Sequence, residues 1–261
     1  MKPLNIAHRG GAALMPENTL AAFADAIARG CDGAELDVQL SRDGVVVVHH
    51  DFRLMADVAR KDGARLEGPG PRIKDLTWNE LQQFDVGSPR PASAYAQKHP
   101  LVQSVPDAKV PSLADVIALA AHAPRRFLLM VELKSDASTD ADPAALAAAA
   151  YALCAGLRDQ VIFVGFDWRA LLPLAALGAP CWFTTDRLKG DARPVIDMIA
   201  AAGGQGWFPN FVDATPDQVE YARAKGLKVG AWTVNDPADM ARLQNLDAVC
   251  TDRPDLLANL T

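Results

Sequence analysis

The sequence has no CxxC pair and only four cysteines, Cys31, Cys154, Cys181 and Cys250, each far from the next along the chain. That spacing excludes a zinc ribbon or a dithiol redox motif and argues against a disulfide framework. The thiols read as small buried residues of a reducing compartment. Positive charge is also scarce: 26 lysines and arginines stand against 32 acids, a formal net charge of -6. Nucleic-acid binders carry a basic excess or stripe, so no nucleic-acid partner is expected, although a local basic pocket for a small anion is compatible with this balance. No apolar run is long enough to span a membrane. The Ala-rich stretch 143–156 is too short, is preceded by acids and reads as a helix. The opening MKPLNIAHRG lacks a charged region followed by an apolar run, so the expected location is the cytoplasm. No GxGxxG or GxxxxGK follows any strand candidate, which weakens the case for an open nucleotide-binding sheet.

What the chain does contain is alternation. Half of its 261 residues are hydrophobic, enough to bury a sizeable core in one large domain. A short strand over IAHRG leads through a loop to LAAFADAIARG, a helix for which Asn18 is the expected N-cap and Gly30 the C-terminal stop. After residue 109 the order helix–strand repeats down to PDLLANL. Counting IAHRG and AELDVQL, and taking VVVVHHD as the return arm of a hairpin, eight strands enter the alternation. The expected architecture is an α/β fold, a closed (β/α)8 TIM barrel, with residues 1–261 as one domain. Residues 52–109 break the rhythm with clustered Gly and Pro and one helical turn, TWNELQQF, and read as an insertion acting as a lid or small subdomain.

The stretch 33–51, GAELDVQLSRDGVVVVHHD, concentrates the chemistry. Glu35 and Asp37 are two residues apart, so in a strand they share a face while Leu36 and Val38 turn to apolar packing. Two carboxylates held that close call for a cation, and hard cations prefer oxygen ligands. Arg42-Asp43-Gly44 reads as the hairpin turn, and the return arm delivers His50. RFLLMVELK repeats the i, i+2 pattern with Glu132 and Lys134. In a barrel the strands' C-terminal ends form the active face, which would gather His8, Arg9, Glu35, Asp37, His50, Glu132, Lys134 and Trp232. Such a set suits transfer at a phosphate ester. A cation on Glu35, Asp37 and Glu132 would polarise a phosphoryl oxygen, and Arg9 and Lys134 would offset phosphate charge. His8 and His50 would serve as acid and base, in either order. His49 points away from His50, and His49, His99 and His122 read as structural or solvated.

At these residues the chain resembles the glycerophosphodiester phosphodiesterase family. The resemblance rests on His8-Arg9-Gly10, Pro16-Glu17-Asn18-Thr19, Glu35-Leu36-Asp37-Val38, Asp43-Gly44, His50-Asp51, Glu132-Leu133-Lys134, Trp232-Thr233-Val234-Asn235 and Thr251-Asp252-Arg253-Pro254, in the family's order over nearly the whole chain. It implies a TIM barrel with a typical insertion after the His-Asp motif, and hydrolysis of small glycerophosphodiesters to glycerol 3-phosphate and an alcohol. It also implies one divalent cation, Mg2+ or Ca2+, with Glu35, Asp37 and Glu132 as metal ligands and His8 and His50 as catalytic residues. Arg9, Lys134 and Trp232 would bind substrate. The chain looks like the cytoplasmic bacterial branch, for which no stable membrane association is expected. Two departures stand out: Gly165 replaces the family's common Ser before Phe166, and a second imidazole, His49, precedes His50. A lyase releasing a cyclic phosphate and a non-catalytic ester-binding barrel are the alternative readings. The non-catalytic one is disfavoured because every charged position the chemistry requires is filled.

Overall fold

A computed structural model describes residues 2–135 and 143–260. The chain opens with β1 (Leu4–Ala7) and α1 (Leu20–Ala28), followed by β2 (Gly33–Leu40) and β3 (Val46–Val48). β3 folds back antiparallel on β2 through a turn in which Gly44 takes φ +83° and its amide donates to the Ser41 carbonyl. Next come β4 (Arg60–Lys61), β5 (Ala64–Arg65), α2 (Trp78–Leu81), β6 (Phe84–Asp85) and α3 (Ala94–Lys98). Then α4 (Leu113–Ala121), β7 (Leu128–Leu133), α5 (Ala144–Leu153), β8 (Val161–Gly165), α6 (Trp168–Ala176), β9 (Cys181–Thr185) and α7 (Arg193–Ala201) resume the alternation. It closes with β10 (Gly206–Pro209), α8 (Pro216–Ala224), β11 (Lys228–Ala231), α9 (Pro237–Arg242), β12 (Ala248–Thr251) and α10 (Pro254–Ala258).

Strands β1, β2 and β7 to β12 pair in parallel, and β1 pairs with both β12 and β2, so the sheet closes into an eight-stranded barrel. Alternation along each strand sorts side chains into two layers. Leu36 and Val38 of β2 and Leu129, Val131 and Leu133 of β7 face the helices and join the large outer core. Ile6, Leu128, Met130, Val164, Trp182, Phe208, Ala248 and Cys250 fill the barrel itself. The expected barrel is the observed one.

Local boundaries differ from expectation in instructive ways. The first strand ends at Ala7, and His8–Gly10 form a 3-10 turn. β3 ends at Val48, so His50 sits on a loop. The N-cap of α1 is Thr19, whose hydroxyl accepts from the Ala22 amide, and not Asn18. Both residues are cap-competent, and Asn18 is drawn away by the partner described below. Between β3 and α4 the chain makes more than one helical turn: a three-stranded sheet in the order β5-β4-β6 covers an apolar cluster of its own, including Leu54, Ile73, Leu81 and Phe84. Trp78 packs against this cluster. The two-residue strands carry no readable period.

Candidate active site

The loop after β1 is built around a turn that few sequences tolerate. Arg9 lies at φ +51°, a left-handed conformation unusual for a residue with a Cβ. Gly10 follows at φ +82°, pressed so closely onto α1 that a Cβ there would sit 2.6 Å from the Ala22 Cβ. This turn brings the Arg9 amide to Oε2 of Glu35 at 3.1 Å. It also buries the guanidinium between Glu17 (Nη1–Oε1, 2.8 Å) and Asp37 (Nε–Oδ2, 3.3 Å). Asn18, itself at φ +56°, donates from Nδ2 to Asp37 Oδ2 at 2.8 Å and accepts the Asp37 amide at 3.3 Å.

β2 and β7 then set the acids. In the parallel register Asp37 stands opposite Glu132, and Glu35 and Asp37 point inward from the same strand. One oxygen from each of Glu35, Asp37 and Glu132 lies within 4.8 Å of the others. Glu35 and Asp37 are buried, yet their titration diverges. Burial, then the charges of Asp37 and Glu132, push Glu35 well above the ordinary carboxylate value. Burial acts the same way on Asp37, but Arg9, His50, Lys134 and the Asn18 hydrogen bond outweigh it and hold that carboxyl low. Lys134 bridges the cluster, with Nζ 2.9 Å from Glu132 and 3.7 Å from Asp37. Oε1 of Glu35 is buried with no hydrogen-bond partner in the structure. A buried, unpartnered carboxylate oxygen beside two further carboxylates is the donor set a hard divalent cation fits.

The two candidate histidines are held alike. His8 Nδ1 lies 2.6 Å from Asp252 Oδ1, and its Nε2 is 3.8 Å from Glu35 Oε2. Asp252 is in turn fixed by Asn235, which donates from Nδ2 at 2.7 Å and accepts the Asp252 amide and the Thr251 hydroxyl. Burial opposes ionisation of Asp252, but the His8 contact and the Asn235 bond more than offset it and keep the carboxyl low. His50 Nδ1 lies 2.6 Å from Asp51 Oδ1, and that contact, against burial, lowers the Asp51 carboxyl. The Gln39 amide donates to the carbonyls of His49, His50 and Asp51, which pins this loop to β2. His49 is buried, with Nε2 3.4 Å from the Arg53 carbonyl.

The fold therefore brings His8, Arg9, Glu35, Asp37, Glu132 and Lys134 into one linked set of contacts, with His50 near enough for its charge to act on Asp37. Trp232 lies just past β11, with Nε1 donating to the Phe208 carbonyl and its ring edge-on to Phe166 at 5.2 Å. Sequence reasoning gave no place in the site to Glu17, Asn18, Asp51, Asn235 or Asp252, although all sit inside the quoted motifs. It also missed Tyr95 of α3, whose hydroxyl donates to Glu17 Oε2 at 3.1 Å and links the insertion to Arg9. No periodic signal could have found that tyrosine. Gly165 offers no hydroxyl, and its amide donates to the Thr184 hydroxyl of the neighbouring strand at 3.1 Å.

Comparison with known proteins agrees with this geometry. The family model described as the glycerophosphoryl diester phosphodiesterase family matches residues 8–256. A glycerophosphodiester phosphodiesterase of Caldanaerobacter subterraneus is 29% identical, over 100% of this chain and 98% of its own. Among solved structures, a Silicibacter pomeroyi protein provisionally described as a glycerophosphoryl diester phosphodiesterase is 31% identical with a TM-score of 0.89. The match covers 98% of this chain and 92% of that one. An Oleispira antarctica phosphodiesterase, solved with its product sn-glycerol-3-phosphate, is 26% identical with a TM-score of 0.77, covering 98% and 96% of the two chains.

Proposed function

The chain belongs to the glycerophosphoryl diester phosphodiesterase family, and on that premise we propose that it hydrolyses a small glycerophosphodiester to glycerol 3-phosphate and an alcohol, with one divalent cation, Mg2+ or Ca2+, held by Glu35, Asp37 and Glu132. The observation that carries this reading is that His8 and His50 each have Nδ1 engaged by a carboxylate at 2.6 Å, beside the three acids. A carboxylate at Nδ1 fixes the tautomer and orientation, and leaves Nε2 to exchange a proton with substrate. When bound, the cation supplies Lewis-acid polarisation of the phosphoryl oxygen and eases ionisation of the attacking oxygen. One imidazole takes the proton of the nucleophile while the other returns a proton to the departing alcohol oxygen. Arg9 and Lys134, now paired with the acids, are placed to share their charge with the phosphate once a cation neutralises the cluster. Trp232 and Phe166 offer an apolar wall for the carbon skeleton.

We read residues 1–261 as a single catalytic domain working in the cytoplasm on soluble diesters. Among the described residues no helix is long and apolar enough to cross a membrane. Trp78 and Phe84, the aromatic pair that could have anchored the insertion in a bilayer, pack into its own core.

The test is product analysis by phosphorus NMR with glycerophosphocholine in solution and the matching phospholipid in vesicles. Linear glycerol 3-phosphate from the soluble diester is expected, and loss of about 10²-fold or more in His8→Ala and His50→Ala. A cyclic phosphate product would replace hydrolysis with internal attack by the glycerol hydroxyl. Faster turnover of vesicles would overturn the soluble-substrate reading.

A further inference from the structure

The insertion meets the barrel along the stretch between β1 and α1, which also carries His8 and Arg9. The Gln103 amide donates to the Leu14 carbonyl at 3.0 Å, and Val105 packs on a small apolar cluster of Leu14, Met15 and Ala22. These contacts dock the insertion beside Glu17. The short helix α3 is itself held at several points. Ser93 Oγ accepts from the Ala96 amide, the Tyr95 amide donates to Asp57 Oδ2 at 3.4 Å, and the Tyr95 ring lies 4.8 Å from that of His99. The Tyr95 hydroxyl ends on Glu17 Oε2 at 3.1 Å. Burial, and then the charge of Glu17, push the phenol well above its ordinary value, so it keeps its proton and donates the hydrogen bond.

Glu17 exposes only 9% of its side chain, and its two oxygens are divided. Oε1 takes Arg9 Nη1 at 2.8 Å, and Oε2 takes Tyr95. A carboxylate that meets a guanidinium through one oxygen lacks the forked geometry that fixes both planes. Its second oxygen has to be held from elsewhere, and Tyr95 holds it. The other ion pair of Arg9 is with Asp37, which belongs to the cation-binding set. A bound cation draws on that charge, and Glu17, outside the set, is the counter-charge that still restrains the guanidinium. We infer that Tyr95 is a positioning residue: through Glu17 it holds the Arg9 guanidinium in the place from which it meets the substrate phosphate. Tyr95 acts through two other side chains and not on the substrate itself. The insertion then does more than cover the barrel, because tight phosphate binding depends on its being docked. This inference rests on the phosphodiesterase reading above.

The experiment uses the full chain in Mg2+ and again in Ca2+, with Tyr95→Phe, which removes the hydroxyl and leaves the ring in its packing. The calorimetric Kd for glycerol 3-phosphate should rise about fivefold to tenfold, part of what a hydrogen bond to a charged group contributes. For glycerophosphocholine, kcat/KM should fall by a similar factor, carried by KM, because Arg9 grips the phosphate in ground and transition states alike. A tyrosine that only packs the insertion would lower the unfolding midpoint and leave both values unchanged, and that result overturns the inference. In an Arg9→Lys background the effect of Tyr95→Phe on Kd should vanish, since an ammonium on a flexible stem has no plane for Glu17 to aim. An effect of full size persisting there also overturns it. Glu17→Gln reports from the middle of the same chain of contacts and should weaken Kd at least as much as Tyr95→Phe. Were Tyr95→Phe not to fold, an unchanged Kd in Glu17→Gln would still overturn the inference. Wild-type protein that neither cleaves glycerophosphocholine nor binds glycerol 3-phosphate would instead remove the parent reading.

Discussion

Along the inner face of β7 the residues run Leu128, Met130, Glu132, and along β12 they run Ala248, Cys250 and, one step past its end, Asp252. β1 does the same, from Ile6 to His8. The floor and the rim of the barrel are therefore built by the same strands on the same face, a single pleat repeat apart. The floor is a closed apolar plug in which Trp182 and Phe208 lie across Gly206 and Gly230, where any Cβ would collide with their rings. The rim carries three clustered acids, two histidines and two cations. The plug excludes water from below, so the charges above it meet a low dielectric, and that is why Glu35 is pushed up and why Asp37 needs Arg9, Lys134 and Asn18 to stay ionised. The thiol of Cys250, in the floor, is driven well above its ordinary value by burial and then by Glu35. It stays protonated and inert beside the site.

The contrast is broken most severely from above. Glu35→Gln keeps the shape of the rim and removes the charge that has no hydrogen-bonding partner at Oε1. Cation affinity, followed by calorimetry, should fall steeply. Turnover should fall on the order of 10³-fold, because a Lewis acid contributes several kcal/mol to such a reaction. Wild-type protein in chelator should behave in the same way. A Gln variant fully active in chelator would remove the carboxylates from metal binding altogether.

Breaking the floor should do the opposite, costing stability with little effect on chemistry. Trp182→Ala removes the largest side chain of the plug from a site where the neighbouring glycines cannot fill the space. A loss of about 3 to 5 kcal/mol in urea unfolding is expected. Below the unfolding transition kcat should stay close to wild type, since none of the catalytic contacts involves Trp182. A large fall in kcat at full occupancy of the folded state would show that floor and rim are not separable.

How much of this was legible follows from the same pleat. Period-2 patterning paired Glu35 with Asp37 and Glu132 with Lys134, each pair on one face of its strand; the regular strand–helix order announced the barrel, whose C-terminal end gathers the pairs. What stayed hidden depends on contacts between segments with no common period. Asn18 and Thr19 are adjacent cap-forming residues, and only the tertiary position of Asp37 decides that the first serves the acid and the second the helix. Asp252 meets His8 across 244 residues of chain, and Tyr95 reaches Glu17 across 78. In the insertion, two-residue strands leave no alternation to detect.

The smallest effect separates two adjacent residues. His50 is on the rim with Asp51, whereas His49 is buried, with its ring Nε2 3.4 Å from the Arg53 carbonyl. Burial lowers the His49 imidazole below its ordinary value, against the pull of Asp51, Glu17 and the Arg53 carbonyl, and the neighbouring His50 adds slightly to the lowering. The sign follows from proton counting. Below about pH 6.5 an unfolded chain protonates this histidine while the folded one refuses the proton, so the native state binds fewer protons and stability falls as pH falls. The contribution is complete above that value and is lost downward at up to about 1.4 kcal/mol per pH unit, until the lowered folded value is reached. His49→Gln abolishes the titration. Unfolding free energies measured from pH 7 to 5 should therefore fall less steeply in the variant, while its pH–rate profile keeps the wild-type shape because Nε2 of His49 faces Arg53 and not the acids. Equal slopes in the two proteins would mean that His49 is hydrated and belongs with the rim; a changed rate profile would mean that the two histidines share the work.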